Sequence, residues 1–284
     1  MTSREPRSAD EGQPAAPPAE AQGEGPGRGR LEGRRILVVG GGQQDHGIDE
    51  PPIGNGRAMS VLFAREGAAV AVSDIDRPSA EATAARVRDE GAHAAVIVAD
   101  AADPGEAARM FAEAESELGG LDGLALNVGV GAGLLLRGTT PEDWDRVMAV
   151  NLRSQFLGCK HGLEAITGRG SIVLVGSVAS REVMPYPAYG ASKAALESLC
   201  RQAAVEGAPD IRVNLLVPGL IDTSLGRLAS SISPLREKVP ILARRQGTAW
   251  EVAYAALFLL CQESSYVTGQ SLVVDGGLTS APRA

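Results

Sequence analysis

Arg35-Ile36-Leu37-Val38-Val39 runs into Gly40-Gly41-Gly42 and, further on, into Gly54-Asn55-Gly56-Arg57-Ala58. An apolar run without polar alternation suits a strand buried on both faces. The helix read from Arg57 to Gly67 carries Met59, Leu62 and Phe63 on one stripe. The same order then repeats. Strands are expected at Ala69–Val72 (ending at Asp74), Ala94–Val98, Leu124–Leu126, Ile172–Val175, Ile211–Leu216 and Leu272–Val274. Helical stretches lie between them: Ser79–Glu90, Pro104–Leu118, one opened by Thr140-Pro141-Glu142-Asp143, one around Tyr189, and one behind the capping pattern Thr248-Ala249-Trp250-Glu251. Alternating helices and wholly apolar strands predict an α/β fold: a doubly wound parallel sheet with helices on both faces, in one domain over residues 34–284.

Two stretches depart from this alternation. Residues 1–33 are rich in Pro, Gly, Ala, Glu and Arg without a hydrophobic period, and read as a disordered tail. Residues 223–245 mix Leu225, Leu228, Ile232, Leu235 and Val239 with Ser, Arg and Pro. They read as a lid over a pocket, or as a plain surface excursion.

The net charge of −8, with no dense Lys/Arg run, argues against a nucleic-acid surface. Cys159, Cys200 and Cys261 are scattered in apolar helical contexts, so buried free thiols and a reducing cytoplasmic setting are expected. His46, His93 and His161 share no ligand spacing with them, and no metal site is expected. The N-terminal residues lack the apolar core of a signal peptide, and the best apolar run, Ala253–Cys261, is too short to span a bilayer.

The chemistry-bearing positions follow the strands. Glycines at a strand–helix junction let backbone N–H groups approach a pyrophosphate, which makes Gly40, Gly42, Gly54, Asn55 and Gly56 candidate dinucleotide contacts. Asp74, at the tip of the second strand, is placed to accept from ribose hydroxyls and to repel a 2′-phosphate, favouring NAD over NADP. Tyr189 and Lys193, at i and i+4, share one helical face. A neighbouring ammonium lowers a phenol's pKa and makes the pair a proton donor and acceptor for an alcohol or carbonyl. In isolation the pair reads rather as a solvated surface couple, and the rest of the chain reverses that. Ser177, just past the Ile172–Val175 strand, is placed to orient a reacting oxygen.

With these residues assembled, the chain from Arg35 to Leu278 resembles the classical short-chain dehydrogenase/reductase family, whose fold is of the Rossmann type. Tyr189 and Lys193 match its Tyr-x-x-x-Lys motif, Ser177 its upstream serine, and Asn151 the asparagine of its catalytic tetrad. Asn127-Val128-Gly129 looks like its Asn-Ala-Gly motif. Asp100, with Ala101 beside it, looks like the acid near the adenine. Pro218-Gly219, Ile221 and Thr223 resemble the segment near the nicotinamide amide. The resemblance implies NAD(P)-dependent hydride transfer between an alcohol and a ketone or aldehyde. Tyr189 would move the proton, Lys193 would tune it and hold the nicotinamide ribose, Ser177 would bind the substrate oxygen and Asn151 would support a water relay. It also implies a homotetramer or homodimer. A redox-neutral or non-catalytic protein on the same scaffold is the alternative.

Two features depart from the family pattern. About ten extra residues, from Gln43 through Asp45, His46, Asp49 and Glu50 to Pro52, separate the leading glycines from Gly54, and Val128 replaces the usual Ala. A surface bulge is the simpler reading of this acidic insert; a metal site on its His46, Asp49 and Glu50 is the remote one. The candidate substrate positions Val178, Ala179, Val183, Met184 and Tyr186 are mostly apolar and favour an apolar or aromatic substrate, whereas Arg181, Arg227 and Arg244 are the residues that would serve a carboxylate.

Overall fold

The computed structural model describes residues 17–232 and 240–281. Seven parallel strands form one sheet in the order β3-β2-β1-β4-β5-β6-β9. They are β1 (Arg35–Val39), β2 (Ala69–Asp74), β3 (Ala94–Val98), β4 (Gly123–Leu126), β5 (Gly170–Val175), β6 (Ile211–Pro218) and β9 (Ser271–Val274). A short pair, β7 (Ile221–Asp222) with β8 (Gly247–Thr248), stands apart. Successive side chains explain the unbroken apolar runs. Ile36 and Val38 enter the core under α1 (Asn55–Arg65), α2 (Arg77–Asp89) and α9 (Ala249–Leu260). Leu37 and Val39 enter the opposite core, under α3 (Pro104–Leu118), α6 (Ser154–Ala165) and α7 (Pro187–Gly207). Both faces are covered, so neither residue parity is free to be polar.

Local sequence sets the helix ends. Asp76, Asp103, Thr140 and Thr248 each accept from a first-turn amide, and Glu251 completes the capping box with Thr248. Helix α6 lies so close to β4 that a Cβ on Gly162 would stand 2.2 Å from Leu124 Cδ1. The helix begun at Thr140 does not continue evenly. After α5 (Pro141–Met148) the chain makes a π-helical turn at Ala149–Arg153 before α6. The remaining helices are the short α4 (Leu135–Gly138) and α8 (Ser224–Ile232), which occupies the first part of the expected lid; residues 233–239 of that lid lie outside the described residues.

Residues 17–33 correct the tail expectation; residues 1–16 lie outside the described ones. This segment is a strap laid across α1 and α9. Leu31 is fully buried in the core beneath α1. Arg65 donates to Gly23 O at 2.7 Å and Gly25 O at 3.2 Å, and its guanidinium lies over Trp250. Glu66 Oε2 accepts from the amides of Arg28 and Arg30, each at 3.0 Å, and Thr248 Oγ1 donates to Ala21 O at 2.6 Å. The strap has no hydrophobic period because it builds no core of its own. Its backbone groups are satisfied by side chains remote in sequence.

Candidate active site

The strand order reverses between β1 and β4, which opens a crevice beyond the strand ends. Gly40 leaves β1 with φ +75°, and the amides of Gly40 and Gly41 both donate to Ser73 O at 2.9 Å. Gly42 N donates to Asp74 Oδ2 at 2.9 Å, tying the glycine turn to the tip of β2. Gln43 then pins the insert, its Oε1 accepting from Gly54 N at 2.8 Å. The segment from residue 44 to 50 stands out from that clasp, with Asp45, His46, Asp49 and Glu50 exposed, and Ile53 returns to pack against the core. The surface-bulge reading of the insert agrees with this geometry.

Helix α1 starts hard against the glycine turn: a Cβ on Gly56 would lie 1.9 Å from Gly40 O. Gly54 caps the helix without a side-chain acceptor, and Asn55 Oδ1 is buried with no partner among the described residues. The first-turn amides without a side-chain cap and the positive helix end suit a dinucleotide pyrophosphate, with the Gln43 and Asn127 side chains flanking the approach. Asp74 Oδ1 accepts from Asp76 N at 3.1 Å, and each carboxylate oxygen keeps further acceptor capacity. The sequence reading missed Arg57. Its half-buried guanidinium donates to Thr83 Oγ1 at 2.9 Å, and Asp74 is near enough to act on it. Burial lowers the Arg57 pKa, as does the charge of Arg86, while Asp74 opposes the fall. A carboxylate that disfavours a 2′-phosphate thus neighbours a cation that favours one. Its signal was its place just after the Gly54-Asn55-Gly56 turn.

The other expected cofactor positions line the same edge of the sheet. Asp100 follows β3, its Oδ1 accepting from Ala102 N at 2.9 Å, and Ala101 beside it is buried. Asn127 follows β4 and donates to Gly40 O at 3.0 Å. Pro218 ends β6, Gly219 N donates to Val274 O at 2.9 Å, Ile221 opens β7, and Thr223 Oγ1 accepts from Gly226 N at 3.1 Å at the start of α8.

The proton-handling candidates meet around Lys193. Its side chain is buried, and Nζ donates to Val175 O at 3.0 Å and Val128 O at 3.5 Å. Nζ lies 5.8 Å from the centroid of the Tyr189 ring. Burial lowers the Lys193 pKa to about 8, and no carboxylate pairs with it among the described residues. Gly129 roofs the amine, since a Cβ there would lie 3.3 Å from Nζ. Ser177 caps the turn Val178–Ser180, its Oγ accepting from Ala179 N at 3.2 Å. That turn presses on the start of α7, where a Cβ on Gly190 would lie 3.2 Å from Ala179 O.

The π-helical turn carries Asn151 into the interior. Asn151 Oδ1 accepts from Val130 N at 2.7 Å, and Nδ2 donates to Val130 O at 2.9 Å and Ser192 Oγ at 3.1 Å. Ser192 Oγ in turn donates to Tyr189 O at 2.8 Å. Ser192 was not singled out from sequence; its signal was its place between Tyr189 and Lys193, one turn from the phenol. Among the substrate candidates Val178 and Ala179 are buried, Met184 and Tyr186 half-buried, and Val183 exposed. The Tyr186 hydroxyl is buried without a partner among the described residues. Arg181 pairs with Glu197 at 3.0 Å and Arg227 with Asp222 at 2.7 Å, so neither waits for a substrate carboxylate. A cleft of about 680 Å³ lies elsewhere, between Pro17, β7, β8 and α8, and no proton-handling candidate lines it.

No helix among the described residues is long and apolar enough to cross a membrane, and the three cysteines are free and buried. A family model described as enoyl-(acyl carrier protein) reductase matches residues 53–279, beginning just past the acidic insert. The chain is 35% identical over 263 residues to 2-(S)-hydroxypropyl-CoM dehydrogenase 3 of Xanthobacter autotrophicus, covering 88% of this chain and 98% of the relative. It is 40% identical over 234 residues to a protein named inactive 2-(S)-hydroxypropyl-CoM dehydrogenase 2 of the same organism, covering 78% and 100%. Among solved structures, a gluconate 5-dehydrogenase from Burkholderia cenocepacia in complex with NADP and tartrate superposes with a TM-score of 0.78 at 33% identity, covering 90% of this chain and 98% of that one.

Proposed function

The chain belongs to the short-chain dehydrogenase/reductase family, and from that membership we propose that it interconverts an apolar secondary alcohol and its ketone, with NAD preferred over NADP. Its coarse role is that of a dehydrogenase/reductase acting on CH–OH groups. The observation that carries the proton-transfer part of this reading is the buried Lys193 amine, free of any carboxylate partner among the described residues, beside the Tyr189 ring. With a pKa of about 8 the amine is mostly charged at neutral pH. A buried cation beside the ring favours a phenolate more than a solvated one would.

A bound nicotinamide supplies the hydride acceptor or donor. The glycine turn and the α1 N-terminus would hold the pyrophosphate, Asp74 the adenosine ribose, and Pro218, Gly219, Ile221 and Thr223 the amide end. In the oxidative direction Tyr189 takes the proton from the substrate hydroxyl while the carbon gives up its hydride, and the C–O bond becomes a carbonyl. Ser177, whose Oγ already accepts from Ala179 N, keeps its O–H to donate to the substrate oxygen. Asn151 and Ser192 hold the 128–130 segment and the Tyr189 turn together. The apolar character of Val178, Ala179, Val183 and Met184 supports an apolar substrate, and the pairing of Arg181 and Arg227 weakens the case for a carboxylate. Exposed Phe156 on α6 and Val205 on α7 support a homodimer or homotetramer, and the buried free thiols support a cytoplasmic setting.

A second reading, a scaffold that binds without turnover, is favoured by one observation: a relative 40% identical is named inactive. Titrating NADH while following nicotinamide fluorescence, then screening secondary alcohols for growth of NADH absorbance, separates the two. Cofactor binding with turnover supports the oxidoreductase. Binding without turnover of any alcohol or ketone supports the second reading, and absence of binding refutes the oxidoreductase.

A further inference from the structure

Gln43 opens the acidic insert and is held both at its backbone and at its side chain. Its N–H donates to Ser79 Oγ, and Ser79 Oγ donates back to Gln43 O at 2.8 Å. Ser79 is itself fixed in the first turn of α2, where its N–H donates to the capping Asp76 at 3.2 Å. The side-chain Oε1 of Gln43 accepts from Gly54 N at 2.8 Å, and a Cβ on Gly54 would stand 3.7 Å from Gln43 Cγ. The Gln43 side chain therefore lies along the start of α1. The same bond fixes which way the amide faces. Gly54 N can only donate, so the atom before it is the oxygen and the NH₂ is the free end. Oε1 and Nε2 share one planar carbon, which leaves Nε2 beside the N-cap of α1. Nε2 finds no acceptor among the described residues.

The place of this donor gives it a use. The preceding residue, Gly42, is tied to Asp74, the candidate ribose acceptor at the tip of β2. Gly54, on the other side, opens the helix whose first-turn amides lack a side-chain cap. Gln43 thus stands between the ribose position and the helix start, where the diphosphate of a dinucleotide would run. Asn55 Oδ1, at the same helix start, is also buried without a partner among the described residues. The surrounding charges make a neutral donor matter here. The stretch from Gly40 to Gly56 contains no Lys or Arg, and it carries Asp45, Asp49 and Glu50. An anion bound there must be met by backbone N–H groups and by neutral side-chain donors. We propose that Gln43 is a ligand of the cofactor diphosphate: its Oε1 holds the insert closed against α1, and its NH₂ donates to a phosphate oxygen. This rests on the dinucleotide reading and adds to it a contact from the segment that departs from the family pattern.

Gln43→Glu is the deciding variant. It keeps the side-chain length and an oxygen to accept from Gly54 N, but puts a second carboxylate oxygen where the NH₂ was, and that oxygen repels a phosphate. NADH binding to the full chain is followed by nicotinamide fluorescence, and ADP and adenosine binding by calorimetry. Loss of a hydrogen bond to a charged acceptor corresponds to about 10- to 100-fold in affinity. Gln43→Glu should therefore weaken NADH and ADP by at least about tenfold, with adenosine affinity and melting temperature unchanged. Gln43→Met, which adds no charge, is the second variant and should also weaken ADP relative to adenosine. NADH and ADP affinities kept at the wild-type value in Gln43→Glu overturn the inference and leave Gln43 as a clasp only. Equal losses for ADP and adenosine overturn it too, since the diphosphate is then not the group being sensed. A wild type that binds neither NADH nor ADP sinks it together with the dinucleotide reading. The expected variant pattern without turnover of any alcohol supports it and sinks only the dehydrogenase.

Discussion

Replacing Lys193 by methionine is expected to stabilise the fold at neutral pH while ending turnover. The amine is buried, and its pKa falls from 10.5 to about 8 because burial penalises the charged form. At about 1.4 kcal/mol per tenfold in proton affinity, that fall is a destabilisation of about 3 kcal/mol wherever the folded state must carry the charge. Methionine fills a similar volume without the charge. It also leaves Val175 O and Val128 O without the amine that donates to them at 3.0 and 3.5 Å. Each lost bond returns about 1 kcal/mol, so the net gain at pH 7 is about 1–2 kcal/mol.

The sign reverses with pH. A lysine of depressed pKa binds fewer protons in the folded than in the unfolded state between about pH 8 and 10.5. Wild-type stability from this group therefore rises with pH across that window, and its penalty is complete only below about 8. The variant's advantage should shrink as pH rises and be gone by about pH 10. Urea denaturation of both proteins at pH 7 and pH 10 measures it. A variant less stable at pH 7, or a gap that stays constant between the two pH values, refutes the desolvation argument.

Tyr189→Phe should lower kcat by about 10²–10⁴, the usual contribution of a positioned proton-transfer group. NADH titration should show nearly unchanged affinity; retention of most of the rate would assign the proton to another group. Asp74→Ala should lower the NAD-over-NADP ratio of kcat/KM by about tenfold or more, the loss of a hydrogen bond to a charged acceptor. An unchanged ratio would move the ribose contact elsewhere, with Arg57 the first place to look. Leu31→Ala should cost about 3 kcal/mol, as for a buried leucine in a close-packed core. A melting temperature equal to wild type would mean that the strap is not docked in solution.

The sheet was readable because its signal is local. Buried parallel strands must be apolar throughout, so Ile36–Val39 and Ile172–Val175 announce themselves without any knowledge of their partners. The caps at Thr140 and Thr248 are local in the same way, since a side chain three residues away satisfies the orphan amide. Tyr189 and Lys193 share a face of α7 because they stand four apart on a helix, and Nζ lies 5.8 Å from the ring centroid. The strap defeated the same method. Residues 17–33 have no period because their partners, Arg65, Glu66, Thr248 and Trp250, are supplied by α1, α9 and the cap of α9.

Spacing and composition thus determined the parallel α/β architecture, while the candidate residues for the chemistry rest also on the family resemblance. Only the folded chain decided how those residues are charged and aimed. The π-helical turn swings Asn151 inward, burial depresses the Lys193 pKa, the Gln43 clasp throws the acidic insert outward, and the bond from Leu135 N to Pro185 O joins the loops after β4 and β5. Each of these depends on desolvation or on a hydrogen bond between segments far apart in the chain, and neither is written in any local run of residues.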